Sequence, residues 1–316
     1  MSLNLLDTPV RLTWDFLPGQ ASANLDRLAL AQRIVDGGVF FVTLLGRPLD
    51  YAEFHPLHAR LSTGGCQLLV ACSGTESELA ALEQLSQPIA QLLLDVSGFI
   101  DGSNASIRRD DLQQVVETIR KQGHEPSLML TPLRQNLHLI PEILRLCHSL
   151  RVQKFKLPNA HIGASFREYS ADDLPRANDL QNFRKRWLDA ALEHDVSLEI
   201  HDLFLWEIMT PGQQQARSEY GGCQAANSLG HIDGDGQLHP CAAWPQLLGD
   251  LNTQELYDIW DGAARLKVRR QIDRLPEGCL GCSEAANCLG GCRGLSHHLN
   301  REHGEIDLMC AGLRTR

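Results

Sequence analysis

From Val10 to about His201, short apolar runs alternate with stretches of helical periodicity. Runs rich in β-branched residues and leucine predict strands at Val10 to Phe16, Val39 to Leu45, Gln67 to Cys72, Gln91 to Val96, Pro126 to Thr131 and Val152 to Leu157. Between them, Asn24 to Asp36 reads as a helix with Leu25, Leu28 and Val35 on its apolar face and Gly37 as its stop. Asp111 to Lys121 and Leu139 to Leu150 follow the same pattern. A further helical stretch at Asn182 to His194 leads to a strand-like Val196 to His201. Strands spaced this way need right-handed helical crossovers to pair in parallel, so the pattern predicts an α/β fold, either an open doubly wound sheet or a full or partial barrel.

The pattern changes after that point. A polar, glutamine-rich segment from Thr210 to Tyr220 reads as a linker, dividing the chain into domains at 8–209 and 210–316. Beyond it, Cys223 and Cys241 bracket a hairpin whose turn is Asp233-Gly234-Asp235-Gly236, because Asp-Gly dipeptides favour tight hairpin turns. The hairpin would hold both thiols at its open end. Thr253 to Lys267 then predicts one helix with Leu256, Ile259 and Trp260 facing inward.

Composition sharpens the picture where it concerns cysteine. Of ten cysteines, only Cys66, Cys72 and Cys147 precede residue 223. The start of the chain has neither the basic residues nor the apolar run of a signal peptide, no segment is long enough to span a membrane, and the expected location is the cytoplasm. Disulfides are rare in that compartment, so clustered cysteines point to metal. Cys66, Cys72 and Cys147 read as small buried apolar residues. A net charge of −10 leaves no positive field for nucleic acid or an anionic membrane.

The last cysteines run Cys279-x2-Cys282-x5-Cys288-x3-Cys292, followed by Cys310. A Cys-x2-Cys loop turns both sulfurs toward one metal or one cluster, and Gly278, Gly281, Gly290 and Gly291 let the backbone turn beside them. On spacing alone, zinc remains open as well as iron-sulfur, since four thiolates also suit a closed zinc site. His297, His298 and His303 near the last cysteine read as a solvated face. No nucleophile-base pair, phosphate loop or protease motif suggests a catalytic residue; Asp95 with Arg108 reads as a fold-stabilising pair, and the Asn104-Ala105-Ser106 sequon carries no weight in a cytoplasmic chain.

With the Gly236-x4-Cys241 element, this series is similar to the SPASM domain found at the C-terminus of many radical SAM peptide maturases. The resemblance implies a fully ligated four-iron cluster on Cys279, Cys282, Cys288 and Cys310, and a second cluster on Cys223, Cys241 and Cys292. Some family members complete the second cluster with an earlier cysteine, where this chain has Arg217; an acid, a histidine, water or a partner would have to serve instead. The N-terminal segments GGVFFVTLLGRPLD, CSGT, LLLDVSGFIDGSNASIR and LTPLRQN loosely resemble successive strand-loop elements of radical SAM enzymes, implying a partial (β/α)6 TIM-like barrel. The departures are specific. After the first strand the chain reads LPGQASANLDRL, without the family's Cys-x3-Cys-x2-Cys loop, and the family's Gly-Gly-Glu-Pro loop reads Leu45-Gly46-Arg47-Pro48. Three missing thiolates leave nothing to hold the radical-generating cluster, and Arg47 would repel the methionyl ammonium. S-Adenosylmethionine is therefore not expected as a cofactor. The resemblance implies a noncatalytic iron-sulfur partner that binds an active radical SAM/SPASM enzyme or its peptide and relays electrons. The alternatives are electron transfer to another oxidoreductase, or an enzyme using an open iron on a peptide.

Overall fold

In a computed structural model, residues 5–17, 25–85, 89–102, 106–161, 169–190, 195–210 and 221–313 are described. Seven strands run in parallel in chain order: β1 (Arg11–Asp15), β2 (Phe41–Leu45), β3 (Gln67–Cys72), β4 (Gln91–Asp95), then, after a small ribbon of β5 (Ile100–Asp101) and β6 (Ser106–Ile107), β7 (Pro126–Met129), β8 (Lys154–Leu157) and β9 (Ser197–Ile200). The strand-like segment expected at Val196 to His201 is thus the last parallel strand, β9, one more than the six of the expected (β/α)6 barrel. The α/β barrel has helices on its outside, and strand residues alternate between two faces. Leu12, Trp14, Val42, Leu44 and Val70 are buried in the main apolar core, while Thr13, Thr43, Leu69 and Gln91, aligned across the sheet, occupy the opposite face.

Helix α1 (Arg27–Asp36) starts at Asp26, whose carboxylate accepts from the amides of Leu28 and Ala29. Its core face is Leu30, Ala31 and Ile34 rather than the expected Leu25, Leu28 and Val35, which are only partly buried. Helices α2 (Phe54–Thr63) and α3 (Glu76–Glu83) complete crossovers for which the sequence pattern names no helix, and α3 opens with a capping box between Thr75 and Glu78. The expected helices are found as α4 (Arg109–Lys121), α5 (Ile140–Ser149) and α6 (Ala177–Asp189). The start of α6 falls ahead of the expected Asn182, and His194 lies outside the described residues. Another helix, α7 (Leu203–Met209), follows β9. Arg108 binds Asp111 and the Gly98 carbonyl, and Asp95 accepts from the Ser97 amide, so the expected Asp95–Arg108 pair is replaced by local contacts.

The expected hairpin forms from β10 (Leu229–Ile232) and β11 (Gln237–His239), with β12 (Gly249–Asp250) beside it. It does not hang from the barrel as a separate layer. Strand β10 pairs in parallel with β1, Thr13 opposite His231, so barrel and hairpin share one ten-stranded sheet. Gly230 permits the approach: a Cβ there would stand 2.8 Å from Leu12. The helix expected over Thr253 to Lys267 is two, Leu256–Trp260 and Ala263–Ile272, broken at Gly262. The linker expected at Thr210 to Tyr220 and its Arg217, like Asn104 and Ala105, lies outside the described residues apart from Thr210 and Ser106. No helix among the described residues is long and apolar enough to cross a membrane.

Candidate metal centre

None of the seven C-terminal cysteines is in a disulfide, and the fold gathers them into two groups. Cys279, Cys282, Cys288 and Cys310 line one cavity of about 130 Å³, walled by Leu180 of α6, Phe204 of α7 and Met309. The Cys279 thiol is pushed up to about 11 by burial and then by the neighbouring charges of Cys288, Cys310 and Cys282. Local structure sets the positions. The Cys279 amide donates to the Pro276 carbonyl at 2.9 Å, and the Cys282 amide to the Cys279 carbonyl at 3.2 Å, curling the Cys-x2-Cys loop. Gly281 closes that loop with φ +83°, a conformation that suits glycine. Gly312 donates its amide to the Cys310 sulfur at 3.4 Å.

The second group is Cys223, Cys241 and Cys292. Cys223 precedes β10 and Cys241 follows β11, so both sit at the open end of the hairpin, and Cys292 caps the helix Arg293–Leu299. Burial pushes Cys241 up to about 12, with the Cys223 thiolate adding to it, and Cys292 is raised by burial, Asp307, Cys223 and Cys241. Backbone amides point at each sulfur: Ala225 and Arg293 at Cys223, Ala243 and Trp244 at Cys241, Leu295 at Cys292. This group meets the barrel. Asn159, two residues past β8, reaches the Cys292 sulfur with its side-chain amide at 3.5 Å, and Leu133, Ala160, Ala243 and Leu295 pack around Cys241 and Cys292.

A buried carboxylate supports the second group. Asp307 accepts from the Cys292 amide at 2.6 Å and the Met309 amide at 2.8 Å; burial and the charge of Asp202 push its acid up. Gly291, at φ +65°, is needed there, because a Cβ would lie 2.3 Å from Asp307.

These surroundings suit a sulfide-containing cluster. Thiols this buried and crowded ionise only beside a strong cation, and amides aimed at sulfur are the usual partners of cluster ligands. Arg293 gives an independent indication: its side chain is 3% exposed, and its Nε and Nη1 donors are buried without an acceptor. Sulfide or thiolate sulfur would supply one. Around a single zinc ion, thiolates stand about 2.3 Å from the metal. Among the described residues no three His, Cys, Asp or Glu side chains close around one ion in that way.

Of the histidines near the last cysteine, His298 and His303 are exposed, as expected, while His297 is partly buried. His297 stacks on Trp244, centroids 4.4 Å apart, and binds Glu305 at 2.9 Å. What the sequence reading missed is a line of histidines inside the barrel. His161 meets His231 edge to face at 5.9 Å, His231 lies 2.8 Å from Thr13 Oγ1 and 6.2 Å from His239, and His239 binds Asp233 at 3.0 Å. Burial lowers His161 to about 4 and His231 well below the ordinary range, so both are neutral at pH 7. The hairpin sets His231 opposite His239, and the pairing of β10 with β1 brings that pair to Thr13 inside the barrel.

At the mouth of β1 and β2, Asp15 is fully buried and accepts from the Leu17 amide at 2.9 Å. Gly46 packs against it, and Arg47, at φ +63°, pairs with Asp50 at 2.7 Å, which also accepts from Ser77. Tyr51 donates to the Phe16 carbonyl beneath Arg27, whose guanidinium lies 4.5 Å from the Tyr51 ring.

Comparison with known proteins agrees with this geometry. Residues 223–283 match SPASM, an iron-sulfur cluster-binding domain; the match includes Cys223, Cys241, Cys279 and Cys282, and the other three cysteines follow it. Pre-heme d1 synthase of Dinoroseobacter shibae is 25% identical over 312 residues, 87% of this chain and 75% of the relative. Among solved structures, Streptococcus suis SuiB bound to S-adenosylmethionine superposes with a TM-score of 0.68 at 17% identity, covering 98% of this chain and 78% of SuiB. Native anSMEcpe with bound AdoMet gives 0.66 at 14% identity, covering 96% and 94%. Sheet, hairpin and cysteine groups together establish an α/β protein with the fold of radical SAM enzymes and a C-terminal SPASM domain.

Proposed function

We propose that this chain is an iron-sulfur protein of a radical-SAM-type system that carries two clusters at its C-terminal end and does not itself cleave S-adenosylmethionine. The observation that carries the reading is the division of labour among the cysteines. Seven gather into groups of four and three, with backbone amides beside the sulfurs of Cys223, Cys241, Cys292 and Cys310, whereas the segment after β1 contains no cysteine and Cys66, Cys72 and Cys147 are 4%, 3% and 0% exposed. Cys279, Cys282, Cys288 and Cys310 would hold one cluster completely. Cys223, Cys241 and Cys292 would hold the other, with one position left for water, a noncysteine side chain or a partner's group. Such clusters supply one-electron chemistry or structural cross-linking.

Arg47 supports the second half of the reading. Where the resemblance expects an acid to meet the methionyl amine, this chain has a cation engaged by Asp50. A chain with this fold and these clusters, but without that centre, suits a role beside an active radical SAM enzyme, binding the enzyme or its substrate in the cytoplasm. The relatives favour two substrate classes for such a system. The sequence relative is named for a haem d1 precursor, and SuiB has been solved with its precursor peptide SuiA.

Iron, sulfide and zinc analysis of anaerobically purified protein tests the cluster assignment. About seven or eight irons per chain with matching sulfide are expected; zinc without sulfide would overturn it. Calorimetry with S-adenosylmethionine should show no micromolar binding, and anaerobic affinity purification should recover a radical SAM enzyme. Repeated recovery of the chain alone would sink the partner role.

A further inference from the structure

We propose that Arg293 couples the two cysteine centres, acting as a single buried cation shared between them that raises both reduction potentials together. The inference rests on the cluster reading above and adds a role for a residue that ligates nothing. Arg293 follows Cys292 directly, and its own backbone amide points at the Cys223 sulfur. Its side chain bridges toward the other group. Its stem lies over Gly290 and Pro276, where a Cβ on Gly290 would stand 2.8 Å from Pro276 and 3.2 Å from Arg293 Cδ, and Pro276 is the residue whose carbonyl holds the Cys279 amide. Nη2 extends 3.4 Å to the Gln271 carbonyl, on the helix whose Arg269 holds the Cys223 and Ala225 carbonyls at 2.8 Å each. The guanidinium is thus tied to the Cys223 side through Gln271 and its helix, and its stem to the Cys279 side through Gly290 and Pro276.

Glu305 is its counter-ion at 3.1 Å, and Glu305 is shared with His297. That bond uses only Nη2, leaving Nε and Nη1 buried without acceptors. Buried charged donors left unsatisfied are strongly destabilising, so a guanidinium held here is suited to acceptors that arrive with the clusters. Each cluster becomes more negative on taking up an electron. A cation near both favours the reduced state of both, and removing it lowers both potentials.

The test uses the full chain, reconstituted with iron and sulfide without oxygen, as wild type, R293K, R293Q and E305Q. Iron, sulfide and circular dichroism are measured first, then each cluster is titrated with dithionite and followed by EPR. R293Q is expected to keep its iron and to raise the oxidised-to-reduced ratio of both clusters about tenfold at fixed potential, about 59 mV for one electron. R293K should recover most of the shift. E305Q, which removes the neighbouring anion, should move both potentials the opposite way, and this arm decides the matter if R293Q loses its clusters. Unshifted potentials, a shift confined to one cluster, or equal iron loss in R293Q, R293K and E305Q overturns the coupling role. Failure of the underlying reading is separate and visible: wild-type protein without sulfide removes the clusters and the coupling with them.

Discussion

Each cysteine's surroundings forecast what its loss does. Cys147 is 0% exposed in apolar packing, its thiol pushed up to about 12 by burial, and Cys66 donates its thiol to the Val39 carbonyl at 3.2 Å. Replacing Cys147 with Ala should leave the iron count unchanged and destabilise the fold by about 1 kcal/mol, the order of a lost buried methylene. Cys282→Ala should instead remove about half the iron, read by metal analysis of anaerobic protein, because its group has no spare ligand. The barrel histidines make a separate forecast about pH. His161 and His231 bind protons more weakly folded than unfolded, so their contribution to stability is present above about pH 6.5 and is lost as pH falls toward 4. Each group adds a slope of up to about 1.4 kcal/mol per pH unit in that window. Thermal melts between pH 7 and pH 5 should show the loss, and His231→Gln should flatten the slope.

At the scale of elements, two glycines beside cysteines separate conformational strain from contact. Gly281 has φ +83° and open space where a side-chain methyl would stand, so Gly281→Ala should cost about 1–2 kcal/mol while keeping iron. Gly291→Ala would press a methyl onto Asp307, break its hold on the Cys292 amide and deplete iron from the three-cysteine group first, which EPR of the two clusters can resolve. Elements with a strong local signal were legible in the sequence. Gln67 to Cys72 forms β3 over the expected residues, and the Asp-Gly turn forms the hairpin at the expected place. The cysteine spacing likewise announced one compact cysteine-rich unit. Less was legible where the local signal was weak or a long-range contact decided. Helix α2 begins with Phe54-His55-Pro56 and contains two histidines, blurring its periodicity, and α3 is only Glu76–Glu83. Gly262 splits the helix expected over Thr253 to Lys267 by making Ala263 a fresh start, with no change in apolar spacing to announce it. The histidine line was not legible because His161 is about 70 residues from the hairpin that carries His231 and His239, and only the fold brings it to them.

On the scale of the whole molecule, the shared sheet ties the cysteine-rich end to the barrel. Besides the β1–β10 pairing, Arg33 of α1 binds the Leu251 carbonyl, and buried Arg265 holds the carbonyls of Leu6 and Ala226. A fragment ending at Thr210 would uncover β1 as an unpaired edge and strip the apolar cover from Leu12, which Gly230 packs against. It should aggregate on size exclusion under conditions where the full chain does not, and its thermal midpoint should be lower.

That same pairing has a consequence during synthesis. Thr13 and His231 are 218 residues apart, so at roughly 5–20 residues per second the first strand leaves the ribosome on the order of 10–40 s before its neighbour exists. For that interval β1 is an unpaired edge of the nascent sheet, and the segment that covers it follows Cys223. Covering that edge and delivering the first cluster ligand are therefore a single late event in translation, so a cell short of iron or sulfide would meet the shortage while the edge of β1 is still being covered.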